Sequence, residues 1–244
     1  QEIALSAANE AGRTRIEIND AETASESTSQ SLVIRFDNPD SRLNLVTGGF
    51  YDSDEEISGR DLVQLGGFGG TLDAGLFIEG DASDRLLIDD DSVVRTSGVQ
   101  IETGAITVAG YLSTGSESIA LEARNSIWVT ETGTIESSAS SIQFVGGGVD
   151  HDGLIINHSG SVVLDSGDHG TTLIRGRIDA SGGLDGPFGG TVRVLGMHVG
   201  LLDTASIDVS ARLGAGAVLS GGDYQGNNAA VRNARRTFVG SDVT

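Results

Sequence analysis

Arg177-Ile178-Asp179-Ala180-Ser181-Gly182, followed by Gly189-Gly190-Thr191-Val192-Arg193-Val194-Leu195-Gly196, is the stretch that decides the fold. Both phrases return, as Ser206-Ile207-Asp208-Val209-Ser210 and as Gly216-Ala217-Val218-Leu219-Ser220-Gly221-Gly222. Ile178 to Ile207 is a step of 29 residues, and Val192 to Val218 a step of 26. A short β-rich phrase returning every 20–50 residues or so marks a solenoid. Within each phrase Ile178, Ala180, Val192 and Val194 fall on one face of a strand. Asp179, Ser181 and Arg193 fall on the other. The glycine clusters between phrases supply corners, where the backbone needs positive φ or close approach. The predicted fold is all-β, a right-handed parallel β-helix.

Working outward, the same grammar extends upstream. From Val93 onward, Val99-Gln100-Ile101, Ala105-Ile106-Thr107-Val108, Ser126-Ile127-Trp128-Val129 and Gly133-Thr134-Ile135 are short alternating runs parted by small polar residues. Ser141-Ile142-Gln143-Phe144 echoes Ser118-Ile119-Ala120-Leu121 at a step of 23. None of the runs has the length or period of an amphipathic helix. Further upstream, Leu62-Val63-Gln64-Leu65, Gly75-Leu76-Phe77-Ile78 and Arg85-Leu86-Leu87-Ile88 follow at steps of 13 and 10, which suit single faces of a coil. Residues 1–95 read as acidic, looser coils with long loops, and 96–244 as regular coils, together one continuous solenoid. At about 25 residues per coil, nine or ten coils fit, a rod roughly 45 Å long at about 4.8 Å per rung.

Composition agrees. Aromatics are sparse at 5%, as a narrow column of stacked aliphatics allows, and 36 glycines against 2 prolines suit many tight corners. The 35 acids face 15 basic residues, all arginine, for a net charge of −20. Such a surface repels nucleic acid and anionic membranes, so neither is an expected partner. Without cysteine there is neither disulfide nor thiolate chemistry. No apolar run of about 18 residues is present to span a bilayer as a helix. Neither Gln1-Glu2-Ile3-Ala4-Leu5 nor Ser241-Asp242-Val243-Thr244 resembles a natural terminus, so both ends read as cuts in a longer chain.

Near the C-terminal end, Gly221-Gly222-Asp223-Tyr224-Gln225-Gly226-Asn227 and Val231-Arg232-Asn233-Ala234-Arg235-Arg236-Thr237-Phe238-Val239-Gly240 complete the pattern. With Ile178, Asp179, Gly189, Gly190, Ile207 and Asp208, the run resembles the repeat region of bacterial filamentous-haemagglutinin-like exoproteins. The matching family-motif positions in this last part are Gly221, Gly222, Asp223, Tyr224, Gly226, Asn233, Ala234, Arg236 and Thr237. The likeness covers about residues 176–240; before residue 93 it is compositional. It implies β-helical coils, two-partner secretion through an outer-membrane transporter, and an adhesive role at the cell surface. Its partners would be further coils of the same parent chain and a cell-surface or carbohydrate ligand. Asp37-Asn38-Pro39-Asp40 is only superficially like the family's Asn-Pro-Asn-Gly secretion motif, so the chain is not expected to be the secretion domain. Arg232 stands where the family often carries proline.

Several constellations invite a chemical reading. His151, His158, His169 and His198 are spaced 7, 11 and 29 apart, no zinc signature, and read as scattered surface residues. Gly167-Asp168-His169-Gly170 with Arg175-Gly176-Arg177-Ile178 resembles pieces of β-helical pectin hydrolases, and Asp89-Asp90-Asp91 is a conceivable partner carboxylate. That family's Arg-Ile-Lys needs a lysine this chain lacks, and a lyase acting on an acidic polymer needs a basic groove. Asp52-Ser53-Asp54-Glu55-Glu56 and Asp89-Asp90-Asp91 are candidate Ca²⁺ ligands, but neither fits a calcium loop, and Gly182-Gly183-Leu184-Asp185-Gly186 is a fragment of one. They read as solvated turns. Trp128, between Ile127 and Val129, should point out of the coil, as a sugar-stacking platform or beneath an upstream loop, with the loop favoured. Gly66-Gly67-Phe68-Gly69-Gly70 lacks the lysine and helix of a phosphate loop. The expectation is a structural and adhesive segment without catalytic residues, cofactor or metal. The alternatives are a polysaccharide-active β-helix or a calcium-stabilised repeat module.

Overall fold

A computed structural model describes the strands of residues 2–7, 13–19, 31–37, 51–52 and 55–56 as backbone, and residues 41–47, 61–66, 71–138, 141–183 and 186–244 in full. Among the described residues the one helical element is a single turn, Tyr224–Gly226. Apart from the antiparallel strands of residues 2–37 and the 51–52/55–56 pair, the described chain is a parallel β-solenoid whose coils place strands on three faces.

The first face stacks Arg42–Val46, Gly75–Glu79, the beginnings of Val99–Val108 and Ile119–Val129, then Ser141–Gly146, Ser161–Asp165, Thr191–Leu195 and Ala217–Ser220. The second face stacks Leu62–Leu65, Arg85–Ile88, the far halves of the same two long strands, then Val149–His151, Thr171–Ile174, His198–Leu201 and Arg236–Val239. The third face is a seven-stranded parallel sheet running from Thr71–Leu72 to Ser206–Asp208. Ile178 sits directly against Ile207, and Val192 against Val218, both in parallel register. Ile119 likewise pairs with Ile142. The returning phrases are therefore neighbouring rungs.

Strict alternation places one residue type above the next, and the core consists of columns. On the third face Val94, Leu112, Ile135, Ile155 and Ile178 follow one another, all fully buried. On the first face Ile101, Leu121, Phe144, Leu164 and Val194 do the same. Each such side chain contributes on the order of 1.5–3 kcal/mol by leaving water, and the ladder satisfies its backbone rung by rung. One inner column is polar. Thr96, Thr114 and Ser137 stack in register. The Thr114 hydroxyl donates to Ser137 Oγ at 2.9 Å, and the Asn157 amide donates to the Ser137 carbonyl at 2.9 Å.

Among the described residues seven third-face strands make about seven coils rather than nine or ten, a stack of about 30 Å at about 4.8 Å per rung. Two causes explain the shortfall. Glu2–Ala7 pairs in parallel with Leu62–Leu65, but Arg13–Asn19 and Ser31–Asp37 add to it antiparallel, so these strands extend the second face without winding a coil. Later coils also carry longer excursions, such as the step of 38 residues from Val199 to its register partner Thr237. The runs near residues 62–88 are single faces, as their spacing indicated: Leu62–Leu65 on the second, Gly75–Glu79 on the first with Thr71–Leu72 of the third between them, and Arg85–Ile88 on the second again.

Candidate functional site

The repeated Ile-Asp-x-Ser phrase is a corner device. Asp179 Oδ1 accepts the Ser181 amide at 3.1 Å and its hydroxyl at 2.6 Å, and Asp208 Oδ1 accepts the Ser210 amide at 2.9 Å. One rung apart, the two carboxylates share Arg177, whose guanidinium lies 2.9 Å from Asp179 Oδ2 and 3.9 Å from Asp208 Oδ2. Partial burial pushes the Asp179 carboxyl upward, but the Ser181 hydrogen bonds, His158 and Arg177 outweigh it and the pKa falls. The bonds from Ser210 lower that of Asp208. These aspartates hold the turns that follow the last two third-face strands, Arg177–Asp179 and Ser206–Asp208.

Gly189 and Gly190 occupy the next corner. Gly189 donates to the Gly214 carbonyl and Gly190 to that of Ala180. A methyl group on either would run into a carbonyl oxygen, of Val209 or of Gly160. The terminal motif closes into one knot. Gly221 and Gly222 have φ of +74° and +142°, and side chains there would strike Thr237 and Asn233. Asn233 Nδ2 donates to the Gly226 carbonyl at 3.3 Å, and the Ala234 amide to that of Gly221 at 2.8 Å. Asp223 opens the single helical turn, with Tyr224 exposed beyond it. Arg236 lies beside His198 and Thr237 beside Val199 on the last second-face rung. Arg232 explains itself here: its guanidinium grips Asp165, at 3.1 Å from Oδ1, and Asp168, tying the excursion to the rung of Ser161–Asp165.

The histidines do not converge. His151 is not a surface residue. It points into the second-face column between Val129 and Ile174, fully buried. Its Nε2–H donates to the Arg177 carbonyl at 3.0 Å, and among the described residues Nδ1 meets no partner. Burial drives its pKa down to about 4, with only partial compensation from that carbonyl. His158 pairs with Asp179 at 3.6 Å, His169 is exposed, and His198 points outward from its strand. Among the described residues no group of three or more His, Asp or Glu side chains is placed to hold a metal.

The pectin-hydrolase fragments also stay apart. Asp89-Asp90-Asp91 follows Arg85–Ile88, whereas Gly167-Asp168-His169-Gly170 precedes Thr171–Ile174, four rungs further on. Four rungs are roughly 19 Å, beyond the ~5–9.5 Å that paired glycosidase carboxylates need. Asp168 is engaged by Arg232, and Asp89 accepts a hydrogen bond from Gln64. The side chains of residues 52–56 and most of 66–70 lie outside the described residues, as do 184 and 185 within the calcium-loop fragment.

Two outward surfaces remain. Trp128 does project from the second face and is 46% exposed. Its Nε1–H donates to Asp152 Oδ2 at 2.9 Å, and Arg175 links Asp152 at 3.0 Å, Asp150 at 3.7 Å and Asp203 at 3.6 Å. Burial raises the Asp150 pKa; Arg175 opposes the rise without cancelling it, and the Asp152 charge adds to it. On the third face, four successive coils define a groove of about 470 Å³. Tyr111 lies along it, its hydroxyl donating to Glu136 Oε2 at 2.6 Å, and the Arg95 guanidinium leans over the ring at 5.2 Å from its centre. Asp73 and a series of Ser and Thr hydroxyls complete the lining.

The sequence reading missed this groove because its parts come from different coils and meet only once the register is known. Parity with Val149 would have placed His151 indoors. Nothing local marks Arg232 as a clamp. Comparison with known protein families, with curated proteins and with solved structures gives no match.

Proposed function

We propose that this chain is a non-enzymatic, rigid adhesive segment of a large secreted bacterial surface protein of the filamentous-haemagglutinin-like kind. The observation that carries the reading is the in-register parallel stack through seven coils, with the recurring motif residues spent on corners and turns. Such a stack supplies length and stiffness, and leaves the outward side chains free to differ from rung to rung. The last rung supports the same reading. Val218, Phe238 and Val239 are 40%, 60% and 56% exposed there, where the strand edges would accept a further coil of the parent chain. Passage through an outer-membrane transporter follows from the resemblance.

The test has two parts. Beads coated with the folded chain are assayed for retention on a panel of cell surfaces, and the coils are deleted from the parent chain in the producing cell. Retention by the beads, and shorter or weaker attachment after deletion, are expected. Beads that adhere nowhere, together with unchanged attachment after deletion, would refute the proposal.

A further inference from the structure

We propose that the third-face groove around Tyr111 is a binding site for a neutral glycan, a reading that rests on the adhesive role above and names its ligand class. The groove has the volume of a small-molecule site, and its chemistry is that of sugar recognition. A pyranose presents a flat C–H face and a rim of hydroxyls that each donate and accept. Tyr111 offers a partly exposed ring, and the Thr71, Ser113 and Ser116 hydroxyls can match either role.

The charged groups sharpen the assignment. Arg95 makes no ion pair among the described residues, although acids outnumber bases 35 to 15 in the chain. Its donors face the groove unspent except for the contact with the Tyr111 ring. Asp73 has no hydrogen-bond or ion-pair partner among the described residues either, so its carboxylate is free to accept. Glu136 Oε2 accepts the hydrogen bond of the Tyr111 hydroxyl, which fixes the ring and leaves Oε1 to accept. A planar donor fork, two carboxylates and an aromatic face in one groove form an acceptor–donor set for vicinal hydroxyls. One cation against two acids, on a chain of net charge −20, disfavours uronates and sulfated sugars.

The test uses the whole folded chain and measures calorimetric binding to neutral hexose and N-acetylhexosamine oligosaccharides, with polygalacturonate as the charged comparison. Neutral oligosaccharides should bind and polygalacturonate should not. Tyr111→Ala should weaken binding about tenfold or more, and Arg95→Gln, at an exposed position, should weaken it without disturbing the circular dichroism. Trp128→Ala, on the second face, should bind like the parent protein. The assignment falls if no neutral oligosaccharide binds at millimolar concentration, if polygalacturonate binds better, or if both groove variants bind like the parent. The bead assay separates the two readings. Beads of the Arg95→Gln and Tyr111→Ala proteins that adhere as well as the parent would remove the groove and leave the adhesive role standing, whereas parent beads that adhere nowhere would remove the role itself.

Discussion

Replacing His151 by valine should leave the solenoid folded and take away most of its sensitivity to mild acid. His151 is fully buried in a column whose next members are Val129 and Ile174. Its pKa falls from an ordinary 6.5 to about 4. The sign follows from linkage. Between those two values the unfolded chain takes up a proton that the folded chain refuses, so the folded state loses ground as pH falls. The contribution is fully present above pH 6.5 or so, is lost progressively towards pH 4, and amounts to about 3 kcal/mol in all. Between pH 7.5 and pH 5 the loss is about 2 kcal/mol. The carboxylates are common to both proteins over that range and cancel in the comparison. At pH 7.5 valine forgoes the hydrogen bond to the Arg177 carbonyl, worth about 1 kcal/mol, but no longer buries the bare Nδ1. Urea denaturation followed by the fluorescence of the single tryptophan, Trp128, which pairs with Asp150 one rung away, reads the stability of this region. The parent protein should lose about 2 kcal/mol more than His151→Val on going from pH 7.5 to 5. Equal losses in the two proteins would refute the placement of a neutral imidazole in the core.

Two further predictions follow from the same columns and corners. Ile178→Ala removes a fully buried member of the third-face column and should cost about 2–5 kcal/mol in chemical denaturation; a cost below about 0.5 kcal/mol would place the residue on the surface. Arg232→Ala frees the excursion of residues 221–235 from Asp165 and Asp168, and should speed amide exchange and proteolysis there while global stability changes by only about 1 kcal/mol. Unchanged local exchange would show that the clamp does not hold the excursion.

The part of the fold legible in advance was the part that repeats. Ile178 and Ile207, Val192 and Val218, and Ile119 and Ile142 match in sequence, because a parallel stack places like above like and the corner chemistry of Asp179 returns one rung on at Asp208. The number of coils was overstated because alternation has the same appearance in a parallel rung and in an antiparallel strand. Arg13–Asn19 and Ser31–Asp37 alternate as well as any coil does, and only their partners distinguish them. Trp128 was placed outward by parity alone. The same parity applied to Val149-Asp150-His151 sends the histidine inward, and the polar identity of the side chain concealed this. The groove was out of reach, since Asp73, Arg95, Tyr111 and Glu136 are separated by up to 63 residues and meet only across four coils.

The in-register stack itself is tested most directly by engineered cross-links, for which the absence of native cysteine leaves a clean background. Arg177 and Ser206 are outward register partners, whereas Leu154 and Ser206 are two rungs apart. Neighbouring rungs are separated by about 4.8 Å, within the ~4.4–6.8 Å that a disulfide spans, and alternate rungs by about 9.6 Å. Under mild oxidation the Arg177→Cys, Ser206→Cys protein should close its disulfide within the chain, and the Leu154→Cys, Ser206→Cys protein should stay reduced. Closure of the second pair with failure of the first would contradict the stacking on which the whole reading depends.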